Sequence, residues 1–309
     1  MKIIEWEEGY RSPFEKTVLT VGNFDGVHLG HQELFREVTK KAGEIGGDRG
    51  TPAIITFDPH PQGFFSGHEP PLITDFFRKM EIIESFGIKA AFVCGREKAF
   101  YNRSAEEFVK EVLVESLRIE YILVGHDFTF GRGREGDINL LCELAKRYGF
   151  TVGEKGAITV GGILVSSTMI RNLILDGQVA EASLLLGREY VVSGKVFRGV
   201  GRGRKLGFPT ANIVCQSNLM PPDGVYVVRI RLDHEEHAGV ANLGKNPTFG
   251  DVPFSFEVHI LDFNRDIYER DIEVFFVSRI RGEVKFSGPE DLIKQISKDV
   301  EGARRILKR

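Results

Sequence analysis

The stretch TVLTVGNFDGVHLGH, residues 17–31, decides the reading of the first half of the chain. Thr17–Val21 is rich in β-branched residues and reads as a strand. Gly22, Gly26 and Gly30 follow it directly, and the next residues, His31–Ala42, turn Leu34, Phe35 and Val38 to one side at helical spacing. A strand, a glycine-rich turn and a helix start together make an anion site. The first amides of the helix lack partners, and the positive end of its dipole faces the ligand. His28 and His31 are three apart, so at a helix start their rings can point the same way. Two imidazoles beside those amides suit the β and γ phosphates of ATP as pyrophosphate leaves. An attacking phosphate is already ionised, so such a reaction needs positioning and charge stabilisation rather than an enzyme nucleophile. The plainer alternative is a pair of surface histidines beside a hairpin.

Outward from this segment, short apolar strands alternate with amphipathic helices. Ala53–Phe57, Ala91–Val93 and Tyr121–Val124 are the further strands. Between and after them lie Thr74–Phe86, with Phe77, Met80, Ile82 and Ile83 near one face, and Asn139–Tyr148. Ser104-Ala-Glu-Glu107 has capping-box spacing before Phe108, Val109 and Val112. This alternation predicts an α/β domain, a Rossmann-like parallel sheet with right-handed crossovers. From Tyr190 onward the period changes to two. Tyr190–Val196, Gly224–Arg231, Ala238–Asn242, Phe254–Leu261 and Ile272–Val277 are strand-like and separated by turn residues, which predicts an antiparallel β-barrel or sandwich. A helix over Glu290–Ile306 closes the chain, with Pro289 suited to its first turn. The expected boundary lies near Gly187, after helices at Ser167–Leu175 and Val179–Leu186, giving domains 1–186 and 187–309.

Composition narrows the partners. The chain has 309 residues, 41 Lys+Arg and 44 Asp+Glu, a formal charge of −3. Residues 1–186 hold 21 basic and 27 acidic side chains, and residues 187–309 hold 20 and 17. Neither half has the basic excess of a dedicated nucleic-acid binder. Apolar runs such as Ala90–Cys94 are far shorter than the roughly 20 residues that span a bilayer. Three scattered cysteines fit neither a disulfide framework nor a zinc knuckle, and the start, MKIIEWEEGY, shows no secretory signal. The expectation is a cytoplasmic protein, a monomer or weak homo-oligomer, with small anionic ligands and neither nucleic acid nor membrane as partner.

Further motifs carry chemistry. Thr56-Phe-Asp-Pro-His-Pro61 and Val124-Gly-His-Asp-Phe-Thr-Phe-Gly-Arg-Gly-Arg-Glu-Gly-Asp137 each follow a strand, where doubly wound sheets bind ligands. Phe64 and Phe65 can stack on a planar ring or fill a core, and His60 is equally open. Ser166-Ser-Thr-Met-Ile-Arg171 opens a helix with hydroxyls and a guanidinium, although Ser-Ser-Thr alone also reads as an N-cap. In residues 194–212, GKVFRGVGRGRKLGFPTAN, Arg198, Arg202, Arg204 and Lys205 alternate with glycines and no acid intervenes. Such a loop suits phosphate and equally RNA. Thr210 and Asn212, two apart on an extended segment, point to one face and offer oxygen donors for Mg²⁺ with ATP phosphates. Glu257 interrupts an otherwise apolar strand; period two sets it with Ser255, His259 and Leu261, opposite Phe254 and Phe256. It is either a solvated carboxylate or a general base.

These segments resemble known families. The HxGH spacing is similar to the signature of the nucleotidylyltransferase superfamily, shared with class I aminoacyl-tRNA synthetases, and SSTMIR resembles its second phosphate motif. GNFDGVHLGH with the TFDPHP and GHDFTFGRG segments resembles the FMN adenylyltransferase module of bacterial bifunctional FAD synthetases. FPTAN, with PDGVY, GVANLGKNPTF and FEVHILDF, resembles the riboflavin kinase signature. The likeness runs from Val18 to about Arg305. It departs only in Asn264–Arg270, which lacks the glycine that often follows the tyrosine, and in the aromatic Phe254–Phe256.

The resemblance implies ATP-dependent phosphorylation of riboflavin to FMN, then adenylylation of FMN to FAD, with Mg²⁺ as cofactor. It implies ATP and phosphate binding by Gly22, Asn23, Phe24, Asp25, Gly26, His28, His31, Ser166, Ser167, Thr168 and Arg171. It implies FMN binding by His60, Phe64, Asp127 and Phe128. In the second half it implies Glu257 as base, Thr210 and Asn212 at the metal, and ATP or flavin binding by Gly194, Arg202, Arg204, Gly207, Phe208, Pro209 and Asn242. Rival readings are an enzyme with one silent site, a synthetase fragment or RNA-binding module, and a flavin carrier without catalysis.

Overall fold

Strands buried on both faces explain the apolar and β-branched runs of the first half. They are β2 (Thr17–Val21), β3 (Thr51–Phe57), β4 (Ala90–Cys94) and β5 (Ile119–Gly125), and the more exposed β1 (Lys2–Glu5) and β6 (Thr151–Lys155) complete the sheet. All neighbours pair in parallel, in the order β1-β4-β3-β2-β5-β6. Alternate residues feed two cores. Val18, Ile54, Ala91 and Leu123 meet the helix α1 (Leu29–Gly46), while Leu19, Ile55, Phe92 and Ile122 share a core with Val109, Val112 and Leu141. The computed structural model describes residues 1–67, 69–95, 98–199, 201–215, 217, 219–244 and 255–308; of Phe64, Phe65, Ser66, Lys98, Arg202 and Lys205 only the backbone is described. Phe254 and residues 245–249 of the GVANLGKNPTF segment therefore lie outside the described residues.

The remaining helices of this half are α2 (Pro61–Ser66), α3 (Phe76–Ser85), α4 (Lys98–Tyr101), α5 (Ala105–Glu107) and α6 (Ile138–Tyr148). The capping box at Ser104 and Glu107 forms, and α5 continues as a wider π-type helix over Phe108–Ser116. One expectation fails on α3. Asp75 caps it by accepting from the Arg78 amide, and Met80 and Ile83 face the core, which leaves Phe77 77% exposed. Phe76, 100° away round the helix, is the phenylalanine that packs against this core.

The chain forms two compact units, Met1–Ser167 and Thr168–Arg309. A small hairpin, β7 (Thr159–Val160) with β8 (Ile163–Leu164), ends the first. The second begins in α7 (Ser167–Leu175) and continues through α8 (Val179–Leu186), which packs on β9 (Tyr190–Phe197) and β14 (Asp271–Arg281). Between these strands come α9 (Arg202–Lys205), β10 (Ala211–Cys215), β11 (Gly224–Leu232), β12 (Glu235–Gly244) and β13 (Ser255–Ile260). The six strands close a barrel in the order β10-β13-β12-β11-β14-β9, every pair antiparallel. Phe276 centres its interior, with the rings of Tyr190, Tyr226 and Phe256 around it. Outside, α10 (Pro289–Leu307) lies on β11 and β12, tied down where the Arg281 guanidinium donates to buried Asp299 at 2.8 Å.

Candidate functional site

In the first sheet the strand order reverses between β2 and β5, the place where open α/β sheets take ligands. The GNFDG loop leaves β2 there, the TFDPHP segment leaves β3 beside it, and Asp127 and Phe128 leave β5. Parallel strands bring all three to one edge. The loop is held in a rarely populated backbone shape, with Phe24 at φ 54° and Val27 at φ 41° flanking Gly26 at φ 80°. Its ties are specific. The buried Asp25 carboxylate accepts from the amides of Ile73 and Thr74, at 2.9 and 3.2 Å. Gln32 Nε2 donates to the Val27 carbonyl, and Ser167 Oγ to the Asp25 carbonyl at 2.8 Å. The Phe24 ring packs edge-on to Phe35 and His31.

His28 is the N-cap of α1, and its Nδ1 accepts from the His31 amide. The two imidazoles stack with centroids 3.5 Å apart, so the expected pair is a single two-ring surface at the helix start. Asn23 Nδ2 and His60 Nε2 lie 2.7 Å apart, which links the GNFDG loop to the segment after β3. Asp127 is exposed beyond β5, and Phe128 stacks on Phe130. Ser166 lies with the first unit, while Thr168 and Arg171 stand on α7 in the second. The Phe64 side chain lies outside what is described.

Sequence reasoning passed over Lys79. Its signal was a lysine sharing the Phe76, Met80, Ile83 stripe of α3. It is only 7% exposed, and its Nζ donates to the Asn23 carbonyl at 3.1 Å and to Thr56 Oγ1 at 3.2 Å. A small open cleft lies here, walled by Phe57, Leu72 and Phe76 with Asn23, His60 and Lys79. Burial pushes the Lys79 ammonium down from 10.5 to about 8, against the opposing pull of Asp25 and Asp58. Between about pH 8 and 10.5 the unfolded chain therefore binds the extra proton, so this group's contribution to stability rises with pH across that window. The stability of Lys79→Met relative to wild type is expected to be higher at pH 7 than at pH 10.5, by up to about 3 kcal/mol. Denaturant unfolding at the two pH values checks the sign.

The barrel carries the second constellation on its outer surface. Strand register aligns Asn212 on β10, Glu257 on β13 and Asn242 on β12 in one row. Glu257 and Asn212 are half-buried and Asn242 is exposed, while Phe256 and Val258 fill the interior. Thr210 Oγ1 donates to Glu257 Oε2 at 3.2 Å. His259, next along the same face, has Nδ1 2.8 Å from the Pro209 carbonyl and its ring edge-on to Phe208, which seats the FPT segment on β13. Close contacts surround two glycines: a Cβ at Gly199 would overlap the Asn212 side-chain carboxamide, and one at Gly203 would overlap the Phe208 backbone carbonyl. Gly194 lies inside β9, where a Cβ would press on Ile213, and Gly207 turns at φ 89° after α9. Arg204 is exposed, and the Arg202 side chain lies outside what is described.

Thr210 and Asn212 add two neutral oxygens beside one carboxylate, and the described residues hold no group of three His, Cys, Asp or Glu side chains able to cage a metal. That donor set fits a Mg²⁺ carried mainly by nucleotide phosphates.

An α/β domain with paired histidines at a glycine-rich helix start, followed by a barrel with the half-buried Glu257 in register with two asparagines, has the features of a two-domain phosphate-transferring enzyme. Comparison makes this specific. Residues 11–169 match the FAD synthetase family model and residues 186–307 the riboflavin kinase model. The chain is 36% identical to the bifunctional riboflavin kinase/FMN adenylyltransferase of Haemophilus influenzae, covering 98% of both proteins. It is also 36% identical to that of Escherichia coli K12, over 95% of this chain and 94% of the other. A crystal structure described as a macrolide-efflux protein from Streptococcus pneumoniae superposes with a TM-score of 0.86, at 32% identity and 98% coverage of both chains. That description stays with that protein; among the described residues here no helix is long and apolar enough to cross a membrane. The chain belongs to the bifunctional riboflavin kinase/FMN adenylyltransferase family.

Proposed function

We propose that the two activities of the family are divided between residues 187–309, which phosphorylate riboflavin to FMN, and residues 1–186, which adenylylate FMN to FAD. The observation that carries the kinase assignment is the Thr210–Glu257 hydrogen bond, set in register with Asn212 and Asn242. Glu257 accepts the proton of a ribityl hydroxyl as its oxygen attacks the γ-phosphorus of ATP and ADP leaves. Thr210 and Asn212 would hold Mg²⁺, which when bound would neutralise charge on the phosphates. Arg202, Arg204 and the glycine-rich backbone from Gly194 to Gly207 cradle nucleotide, with Phe208, Pro209 and Asn242 at the flavin or ATP.

In the first domain the FMN phosphate attacks the α-phosphorus of a second ATP, and the α–β bridging bond breaks to release pyrophosphate. The loop Gly22, Asn23, Phe24, Asp25 and Gly26, with His28, His31, Ser166, Ser167, Thr168 and Arg171, binds those phosphates. His60, Phe64, Asp127 and Phe128 hold FMN. The enzyme works in the cytoplasm on small molecules, as a monomer or weak homo-oligomer, and uses neither nucleic acid nor membrane.

Incubation with riboflavin, ATP and Mg²⁺ is expected to yield FMN and then FAD, and removal of Mg²⁺ by EDTA to stop both products. FMN accumulating without FAD would remove the adenylyltransferase assignment. FAD forming from supplied FMN but not from riboflavin would remove the kinase assignment.

A further inference from the structure

We propose that Lys79 is a positioning residue for adenylylation: its ammonium pins the Asn23 carbonyl and so holds both the phosphate loop and, through the Asn23 amide, the His60 ring. This rests on the first domain being the adenylyltransferase. The loop from Gly22 to His28 has two non-glycine residues at positive φ, and such shapes persist only where their surroundings over-determine them. At its far end the Asp25 carboxylate and Gln32 supply that restraint. At its near end the Asn23 carbonyl accepts from the Thr56 hydroxyl at 3.3 Å and from the Lys79 ammonium at 3.1 Å. The charged donor makes the stronger bond. Asn23 then passes the restraint to His60 across 2.7 Å, so one lysine fixes two neighbouring loops at the mouth of the cleft.

The charges facing Lys79 are known. Asp25 comes from the loop, and Asp58 and His60 from the segment after β3. On α3 itself, Asp75 is committed to capping, and the Phe76 ring lies 5.5 Å from the ammonium. Burial brings this amine to titrate near pH 8, so the restraint weakens within a range that enzyme assays reach.

The test uses the full chain and two assays, FMN with ATP and Mg²⁺ for FAD formation, and riboflavin with ATP and Mg²⁺ for FMN formation. Lys79→Met is expected to lower kcat for FAD formation by about 10- to 100-fold, the scale of a misplaced site, with riboflavin phosphorylation unchanged. Lys79→Arg is expected to restore most of the lost rate, since it keeps a charged donor. Wild type should lose adenylylation rate above about pH 8 as the amine deprotonates, while Lys79→Arg stays level there. A purely structural lysine would change thermal unfolding without producing that difference between the two pH profiles. FAD formation by Lys79→Met at the wild-type rate, or superimposable wild-type and Lys79→Arg profiles, overturns the proposal. If His28→Ala and His31→Ala are equally silent, it is the placing of adenylylation at this loop that fails instead.

Discussion

Glu257→Gln is expected to abolish FMN formation from riboflavin while supplied FMN is still converted to FAD. The substitution keeps size and one acceptor oxygen, so the hydrogen bond from Thr210 Oγ1 can persist and the row with Asn212 and Asn242 stays in place. What it removes is a group that can take a proton from the attacking hydroxyl. A positioned general base is worth about 10²- to 10⁴-fold in rate, and kinase turnover should fall by that amount. Barrel stability should change little, because Glu257 sits on the half-exposed outer face and not among Phe256, Val258 and Ile260. Separate assays of FMN and FAD formation on the same preparation read the outcome. Survival of FMN formation at the wild-type rate would show that Glu257 is not the base.

The contrast between the two halves explains what could be read from residues alone. Strands β2 to β5 are buried on both faces, so they read as apolar and β-branched segments in which Glu120 is the one charge. The barrel strands are buried on one face and left alternation, as in Ser255–Ile260. Strands β1 and β6 sit at the sheet edges, where KIIE and TVGEK are largely exposed, and neither pattern marks them. β10 was hidden inside a motif whose residues drew attention for their chemistry. On α3 the core stripe runs through Phe76, Met80 and Ile83, and Phe77 lies 100° from Phe76, so hydrophobicity alone does not tell which of the two phenylalanines faces inward. The residues of the candidate loop, Gly22 to His31, are contiguous, so sequence alone brings them together. The row Asn212, Glu257, Asn242 was legible only as three separate residues, since cross-strand register joins positions far apart in sequence. Lys79 belongs to the same class: its partners, Asn23 and Thr56, come from two other elements.

His28→Ala is expected to do the reverse of the Glu257 change, lowering FAD formation from FMN while riboflavin is still phosphorylated. Nδ1 of His28 accepts from the His31 amide, so a neutral ring carries its proton on Nε2, and donation of that N–H to phosphate is the role the substitution tests. The stack on His31 at 3.5 Å holds the ring plane. Loss of one preorganised donor to charge that develops in the transition state costs about 10²- to 10³-fold in kcat. Alanine also removes the helix cap, at about 1 kcal/mol, and that loss alone can loosen the start of α1. His28→Asn separates the two effects, because asparagine is among the best N-caps yet is too short to reach as the imidazole does. If the asparagine variant recovers thermal stability but not FAD formation, the ring acts on phosphate. If it recovers both, His28 serves as a cap alone, and the phosphate role falls to His31 and the loop amides.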